Sequence, residues 1–381
     1  MKYIYQEKGR LFAQTAPGLE TAATAELKAL GVSEVETRFM GVAFAADKAN
    51  LYRVNYESRL VSRVLAPLAV FTFLSEADLY QDAATLQWTD FLKPHQTFAI
   101  YTTRSKNSRV NHTGYAALKV KDAVADFFMR KFKNRPDVNK NEPDVWINVH
   151  FDRHNATISI DTSGGSLHKR GYRRKTVKAP MQETLAAAII HFSEWDGARP
   201  LYDPMCGSGT LLSEALMKQA RIPAGFLRKK FGFENLPDFD PLLWQHVKTA
   251  ADKRIRQLAP GLVKGSDMSN AAVDAALTNN RMLPFGNRIA IEKKRFQQIA
   301  GLPGNLIVCN PPYGIRLENK RDTARLYGIF GDYLKQKCQG ATAYVYFGDR
   351  ELIKNIGLKP KWKKPLKNGG LDGRLVKYLL Y

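Results

Sequence analysis

The sequence predicts an α/β protein in two parts. The C-terminal half reads as a doubly wound parallel sheet with a terminal antiparallel hairpin, and the N-terminal half as an α+β region. Three observations carry this. From Met181 onward, short apolar runs alternate with helical periods, the pattern of strand–helix–strand crossovers. Before Ser163 the last strands alternate polar and apolar residues and form a hairpin. Finally, 381 residues are too many for one ordinary core, and Ser163-Gly164-Gly165-Ser166 offers a break between the halves.

Taken in order, Tyr3 to Phe12 reads as a strand. Thr21 to Leu30 is an Ala/Leu-rich helix that stops at Gly31. Val32 to Val35 and Gly41 to Ala45 read as strands, completing a small α+β unit over residues 1–58. A second unit spans 59–163. Its helix, Gly114 to Phe132, carries Ala117, Val120, Val124, Phe127 and Phe128 at helical spacing. Its strands Val145 to Phe151 and Ala156 to Ile160 are joined by the turn Asp152-Arg153-His154-Asn155. A basic linker covers 164–178, and the third unit covers 179–381. There Met181 to Phe192, Thr210 to Ala220 and Ala271 to Asn280 read as helices. Leu201 to Asp203, Leu262 to Asp267, Ile289 to Glu292, Leu306 to Cys309 and Ala343 to Phe347 read as strands. Lys359 to Lys367 and Arg374 to Leu380 form the closing hairpin around Asn368-Gly369-Gly370.

Lys and Arg outnumber Asp and Glu, 58 to 36, a surplus of 22 that points to a polyanionic partner, nucleic acid ahead of anionic membrane. No apolar run is long enough to span a bilayer, so no membrane partner is expected. Residues 1–18 carry Lys2, Glu7, Lys8 and Arg10 and do not resemble a secretory signal. The three cysteines, Cys206, Cys309 and Cys338, fit neither a disulfide framework nor a metal site, and a cytoplasmic location is expected. Nothing in the sequence calls for an obligate protein partner.

Asn310-Pro311-Pro312-Tyr313 is the most informative stretch. It follows the apolar run Leu306 to Cys309, and two prolines cannot continue a sheet ladder. The strand end therefore presents an amide side chain, bare carbonyls and an aromatic face. A planar base with an exocyclic amine needs that set: two acceptors for the amine protons and a ring to stack on. The second motif is Asp203-Pro204-Met205-Cys206-Gly207-Ser208-Gly209-Thr210, a glycine turn from strand to helix. It lacks the Lys of a phosphate-cradling loop, and Leu212 stands where a dinucleotide fingerprint has its third Gly or Ala. S-adenosylmethionine fits better. Asp203 is placed for its ammonium and Asp267, at the next strand end, for its ribose hydroxyls. Cys206 and Cys309 read as small packing residues. The acid-free run Leu167 to Ala179, with Lys169, Arg170, Arg173, Arg174, Lys175, Lys178 and Tyr172, reads as a solvated face or as a strap for an RNA backbone.

These residues resemble the S-adenosylmethionine-dependent methyltransferases of exocyclic amines. The likeness extends to Ala179-Pro180-Met181-Gln182-Glu183-Thr184-Leu185, to Gly114-Tyr115-Ala116-Ala117-Leu118-Lys119 and to Gly165-Ser166-Leu167-His168-Lys169-Arg170-Gly171-Tyr172-Arg173. Over essentially the whole chain it is similar to the bacterial 23S rRNA guanine-N2 methyltransferases of the RlmL family. The resemblance implies a ferredoxin-like domain (1–58), a THUMP RNA-binding domain (59–163) and a Rossmann-like methyltransferase domain (179–381). It implies a catalytic set of Asn310, Pro311, Pro312 and Tyr313. The implied cofactor set is Thr184, Asp203, Met205, Cys206, Gly207, Gly209, Asp267, Met268 and Asn310. The implied RNA set is Arg104, Lys106, Arg109, Lys169, Arg170, Arg173, Arg174 and Lys175, with free or partly assembled 23S rRNA as the partner. One position departs from the pattern. The family usually has an Asp shortly after its third strand, and Arg295 stands there, so no side chain is assigned to the cofactor adenine. Three other readings share part of the pattern: a tRNA guanine-N2 methyltransferase, a DNA adenine-N6 methyltransferase, and a non-catalytic RNA-binding assembly protein.

Overall fold

A computed structural model describes residues 2–73, 76–108, 113–177, 180–313 and 320–381. The chain divides into two compact units.

The first unit gathers Met1–Thr15, Glu20–Leu167 and Arg228–Thr249. Its elements are α1 (Ile4–Lys8), β1 (Arg10–Thr15), α2 (Glu20–Ala29), β2 (Ser33–Arg38), β3 (Gly41–Ala45), α3 (Lys48–Glu57) and β4 (Val61–Thr72). They continue with α4 (Glu76–Ala84), β5 (Thr97–Arg104), α5 (Thr113–Phe132), β6 (Asp137–Val138), β7 (Val145–Asp152) and β8 (Asn155–Asp161). All eight strands belong to one sheet, in the order β2-β3-β1-β4-β8-β7-β5-β6. The two N-terminal units expected over 1–58 and 59–163 are therefore continuous. β4 pairs antiparallel with β1 on one side and with β8 on the other. Pro67, which cannot donate to the ladder, sits where the β4–β8 register shifts.

Two expectations change here. Tyr3 to Phe12 is not one strand: Ile4–Lys8 is a helical turn, closed by Gly9 at φ 58°, and the strand starts at Arg10. Tyr3 and Tyr5 mimic strand alternation, yet both are buried, with hydroxyls donating to Asp90 (2.7 Å) and Asp238 (2.9 Å). Second, the span 179–381 is not one continuous domain, because Arg228–Thr249 joins the first unit. The reason is aromatic: Phe233, Phe239 and Trp244 close around Tyr52, with ring centroids 4.6 to 6.2 Å away.

The second unit comprises Ala16–Leu19, His168–Leu227 and Ala250–Tyr381. It contains α6 (Glu183–Phe192), β9 (Leu201–Asp203) and α7 (Thr210–Gln219). After the helix Pro241–Asp252, which is α8 in chain order, come β10 (Val263–Asp267), α9 (Asn270–Asn280), β11 (Ala290–Lys293) and β12 (Leu306–Cys309). α10 (Lys320–Lys337), β13 (Thr342–Phe347), β14 (Trp362–Pro365) and β15 (Arg374–Leu379) complete it. The sheet order is β11-β10-β9-β12-β13-β15-β14. The first five are parallel, and β15 runs antiparallel to β13 and β14. This is the expected doubly wound sheet with its terminal hairpin. β12 and β13 are buried along their whole length, which is why they read as unbroken apolar runs. Ile307, Phe330, Tyr327, Val345 and Tyr378 lie at the centre of one core. Among the described residues no helix is long and apolar enough to cross a membrane.

Candidate active site

The strand order reverses between β9 and β12, and crevices for ligands open at the C-terminal ends of strands at such switch points. β9 ends at Asp203 and passes through the glycine turn into α7. Gly209 caps α7 at φ 80°, and a Cβ there would lie 3.0 Å from the Ala276 side chain of α9. Only glycine combines that conformation with so close an approach. The turn is tied to β10, since the Cys206 N–H donates to the Ser266 carbonyl (2.9 Å) and the Gly207 N–H to Asp267 Oδ2 (2.9 Å). Asp267 Oδ1 accepts from the Ser269 N–H (2.9 Å), and Ser269 caps α9 through Ala272 N–H. One carboxylate thus fixes two adjacent loops.

Around these loops lies a cavity of about 540 Å³. Met205, Gly207, Asp267, Met268, Asn310 and Pro312 line it. A recess of about 20 Å³ adjoins it through Val177, Met205, Gly207 and Asn310, and reaches Asp203 and Cys206. Asp203 is 1% exposed. Burial raises its carboxyl to about 8; a bond from the Met205 N–H (3.1 Å) works against the shift and the Asp267 charge adds to it. Burial also pushes the Cys206 and Cys309 thiols up, so they stay protonated and act as packing groups.

Asn310 stands at the end of β12 and lines both cavity and recess. Its Oδ1 is buried and has no hydrogen-bond partner among the described residues. The neighbouring Pro311 carbonyl accepts a long bond from the buried Tyr327 hydroxyl (3.5 Å), which leaves it a second lone pair. The Tyr313 ring lies edge-on to Tyr346 at 6.4 Å and directly over the Gly348 backbone.

Two residues of the predicted cofactor set lie elsewhere. Thr184 is buried in α6 and lines neither space, and Gly209 acts through the helix cap. Sequence reasoning missed several lining residues: Val177, Ser269, Lys294, Phe296 and Gln297. The segment after β11 carried one usable signal, because its position at the third strand end puts any residue there on the ligand edge. Arg295, at the departing position, also lines the cavity.

Residues 170–377 match the RMKL-like methyltransferase domain family, residues 74–161 the THUMP domain, and residues 10–65 the RlmL ferredoxin-like domain. The chain belongs to the RlmL-like THUMP methyltransferases. A Synechocystis sp. (PCC 6803) protein provisionally named an RNA methyltransferase is 39% identical over 371 residues, 97% of this chain and 96% of its own. A methyltransferase crystallised with S-adenosylhomocysteine (SMU.472) superimposes with a TM-score of 0.84 at 27% identity, covering 100% of this chain and 99% of that one. A Listeria monocytogenes protein assigned from its sequence as an N6-adenine-specific DNA methylase gives 0.82 at 26%, covering 98% and 96%.

The cofactor of this RlmL-like methyltransferase is S-adenosylmethionine. The donor set suits it. A buried carboxyl lies in a recess beneath a cavity lined by a second carboxylate, a glycine turn and a helix N-terminus.

The basic residues divide differently from the expectation. Arg170 is 1% exposed and pairs with Glu214 at 3.5 Å. Glu214 also accepts from the buried Tyr172 hydroxyl (3.0 Å). Arg173 donates to Glu183 (3.0 Å), Ser208 (3.3 Å), the Met181 carbonyl (2.8 Å) and Thr210 (3.2 Å). Both were expected to face RNA. Both instead clamp the strap onto α6 and α7, because buried Glu183 and Glu214 need compensating charge. Burial works against the Glu183 carboxylate, but His168 and Arg173 outweigh it and hold its carboxyl below the usual range. Asn279 fixes the next two residues, accepting from the Arg174 and Lys175 N–H groups at 2.7 and 2.9 Å. The Arg174 and Lys169 side chains remain exposed, while Lys175 pairs with Asp274 at 2.5 Å. In the first unit Arg104 is exposed, and Lys106 sits over the exposed Phe39 ring at 5.4 Å. Arg109, Lys178 and Ala179 lie outside the described residues.

Proposed function

We propose that the chain methylates RNA, at the exocyclic N2 of a guanine in 23S rRNA. The observation that carries the chemistry is Asn310 Oδ1, a buried acceptor with no partner among the described residues on the wall of the cofactor cavity. An unpaired buried acceptor is costly, and a ligand donor that meets it removes the cost. S-adenosylmethionine supplies an electrophilic methyl on a sulfonium. Asp267 would hold ribose hydroxyls and Asp203 the ammonium. The guanine amine is a poor nucleophile because its lone pair is delocalised into the ring. Asn310 Oδ1 and the free lone pair of the Pro311 carbonyl would accept hydrogen bonds from its two N–H groups and turn the nitrogen lone pair out of conjugation; on transfer the sulfur leaves as the neutral thioether of S-adenosylhomocysteine, and one amine proton is lost to solvent. Tyr313 would stack on the flipped base and fix its plane. Positioning then supplies most of the acceleration.

RNA as substrate is supported by the surplus of 22 cations, the THUMP match and the name of the Synechocystis relative. Guanine-N2 of 23S rRNA rests on the RlmL-like match along the chain. The same amine chemistry serves adenine-N6, the activity assigned to the Listeria neighbour. Asn310→Ala tests the role of the amide. Methyl transfer should fall about 10²- to 10³-fold, as when one preorganised polar contact is lost at a reacting centre. Affinity for S-adenosylhomocysteine should stay within a few-fold by calorimetry. Loss of that affinity would move Asn310 from the base to the cofactor.

A further inference from the structure

Residues 352–371 carry six lysines and no Asp or Glu. Part of this run borders a second cavity, of about 630 Å³, lined by Lys335, Leu358, Lys359, Lys361, Leu380 and Tyr381 among others. Its floor is held by the sheet. Lys361 N–H donates to the Lys377 carbonyl (2.8 Å), Gly340 N–H to the Leu380 carbonyl (2.7 Å) and Leu380 N–H to the Ala341 carbonyl (3.0 Å). These bonds place the cavity beside Thr342, the first residue of β13, at the edge of the parallel sheet opposite the cofactor crevice. The six residues of β13 put it about 20 Å from that crevice.

Lys335, Lys359 and Lys361 are exposed, and none is ion-paired among the described residues. Lysines commonly guard a sheet edge against pairing with other chains, and that accounts for Lys363 on the edge strand β14. It does not account for Lys335, which comes from α10 and meets the other two at one concavity. Lys359 and Lys361 are two residues apart just before β14, so they lie within about 7 Å of each other along the chain. Tyr381 adds an aromatic ring that is 93% exposed. Unpaired cations along a groove with a free aromatic face match single-stranded nucleic acid: phosphates take the charges and a base takes the ring.

We propose that this cavity is a second docking site for the RNA substrate, gripping a single-stranded segment about 20 Å from the reacting base. Phosphates would lie on Lys335, Lys359 and Lys361, and a base on Tyr381. This rests on the RNA reading above. Such a site would hold the flanking strand while the target base enters the crevice, so it would act on KM rather than on kcat.

The test uses the full chain with Lys335, Lys359 and Lys361 all changed to Glu, the same three changed to Gln, and Tyr381→Ala. Binding of a labelled single-stranded 23S rRNA fragment is followed by anisotropy across a potassium chloride series. Calorimetry with S-adenosylhomocysteine checks the fold. The Gln variant should flatten the slope of log K against log salt by about 2, since each phosphate contact in a single strand contributes about 0.7. The Glu variant should go further and raise KM at least tenfold with kcat retained. Tyr381→Ala should weaken binding at least fivefold. Cofactor affinity should stay within twofold in all three. Unchanged slope and KM in variants whose parent binds the RNA would overturn the site alone and leave the lysines as edge protection. A parent that binds and methylates no RNA would overturn the substrate reading, and this site with it.

Discussion

Gly348→Ala is the sharpest probe of how the base platform is built. Gly348 directly follows β13, and the Tyr313 ring occupies the space that a side chain at position 348 would need. A Cβ at position 348 would stand 2.1 Å from Tyr313 Cε2 and Cζ and 2.6 Å from Cδ2. Ordinary contact begins near 3.4 Å, so the ring must retreat by about 1.3 Å. The obstacle is a side-chain end rather than backbone, and the residue's φ does not lie in the left-handed region. The fold should therefore survive with a change in thermal midpoint of no more than a few degrees. Transfer should not survive as well, because misplacing a positioned group by about 1 Å costs on the order of 100-fold, near 2.7 kcal/mol of barrier. The assay is single-turnover methyl transfer to an RNA fragment, beside S-adenosylhomocysteine titration and a melt. The expected result is a rate about 100-fold lower with cofactor affinity and midpoint nearly unchanged. Wild-type turnover in a correctly folded Gly348→Ala protein would refute the view that Tyr313 sets the plane of the base.

Two further outcomes follow from the buried charges. The Asp203 carboxyl at about 8 means the free protein keeps it largely neutral below that pH, whereas an ammonium is received best by the carboxylate. Affinity for S-adenosylhomocysteine should climb as pH rises through about 8, and Asp203→Asn should flatten the climb; a parent profile already flat there would contradict the assignment. Stability runs the other way. The raised carboxyl favours the native state fully below its ordinary 3.8, and that contribution is lost as pH rises through about 8. Arg173→Ala should cost about 2–3 kcal/mol in denaturant unfolding, because Glu183 loses a charged donor inside the protein. The salt slope of RNA binding should not move, and a flattened slope with intact stability would restore the backbone-contact role for Arg173.

The sequence revealed most where one rule acts alone. β12 and β13 are buried on both faces, so their apolar runs named them, and the prolines after Cys309 marked where the strand must stop. Asp203, Asp267 and Asn310 could be placed on one edge because every parallel strand ends on that edge. It misled where the same residue type serves two ends. An acid-free run is equally the signature of a solvated strap and of a clamp. Its partners Glu183 and Glu214 lie 10 and 44 residues beyond Arg173 and Arg170, out of reach of local pattern. The Arg228–Thr249 segment went to the wrong unit because Phe233, Phe239 and Trp244 show no sign in sequence of which core they enter. Gly348 carries no signal at all: its role is the space it leaves for a ring 35 positions earlier in the chain.

In the proposed reaction Asn310, the Pro311 carbonyl and Tyr313 would present the N2 amine of a guanine in 23S rRNA to the cofactor. Incubating the protein with labelled S-adenosylmethionine and either deproteinised 23S rRNA or intact large subunits, then digesting and separating the nucleosides, tests it most directly. A base held stacked and paired in a finished subunit would cost a few kcal/mol more to extrude. N2-methylguanosine is expected from the free rRNA, and much less of it from the subunit. N6-methyladenosine as the product, or label confined to tRNA, would contradict it.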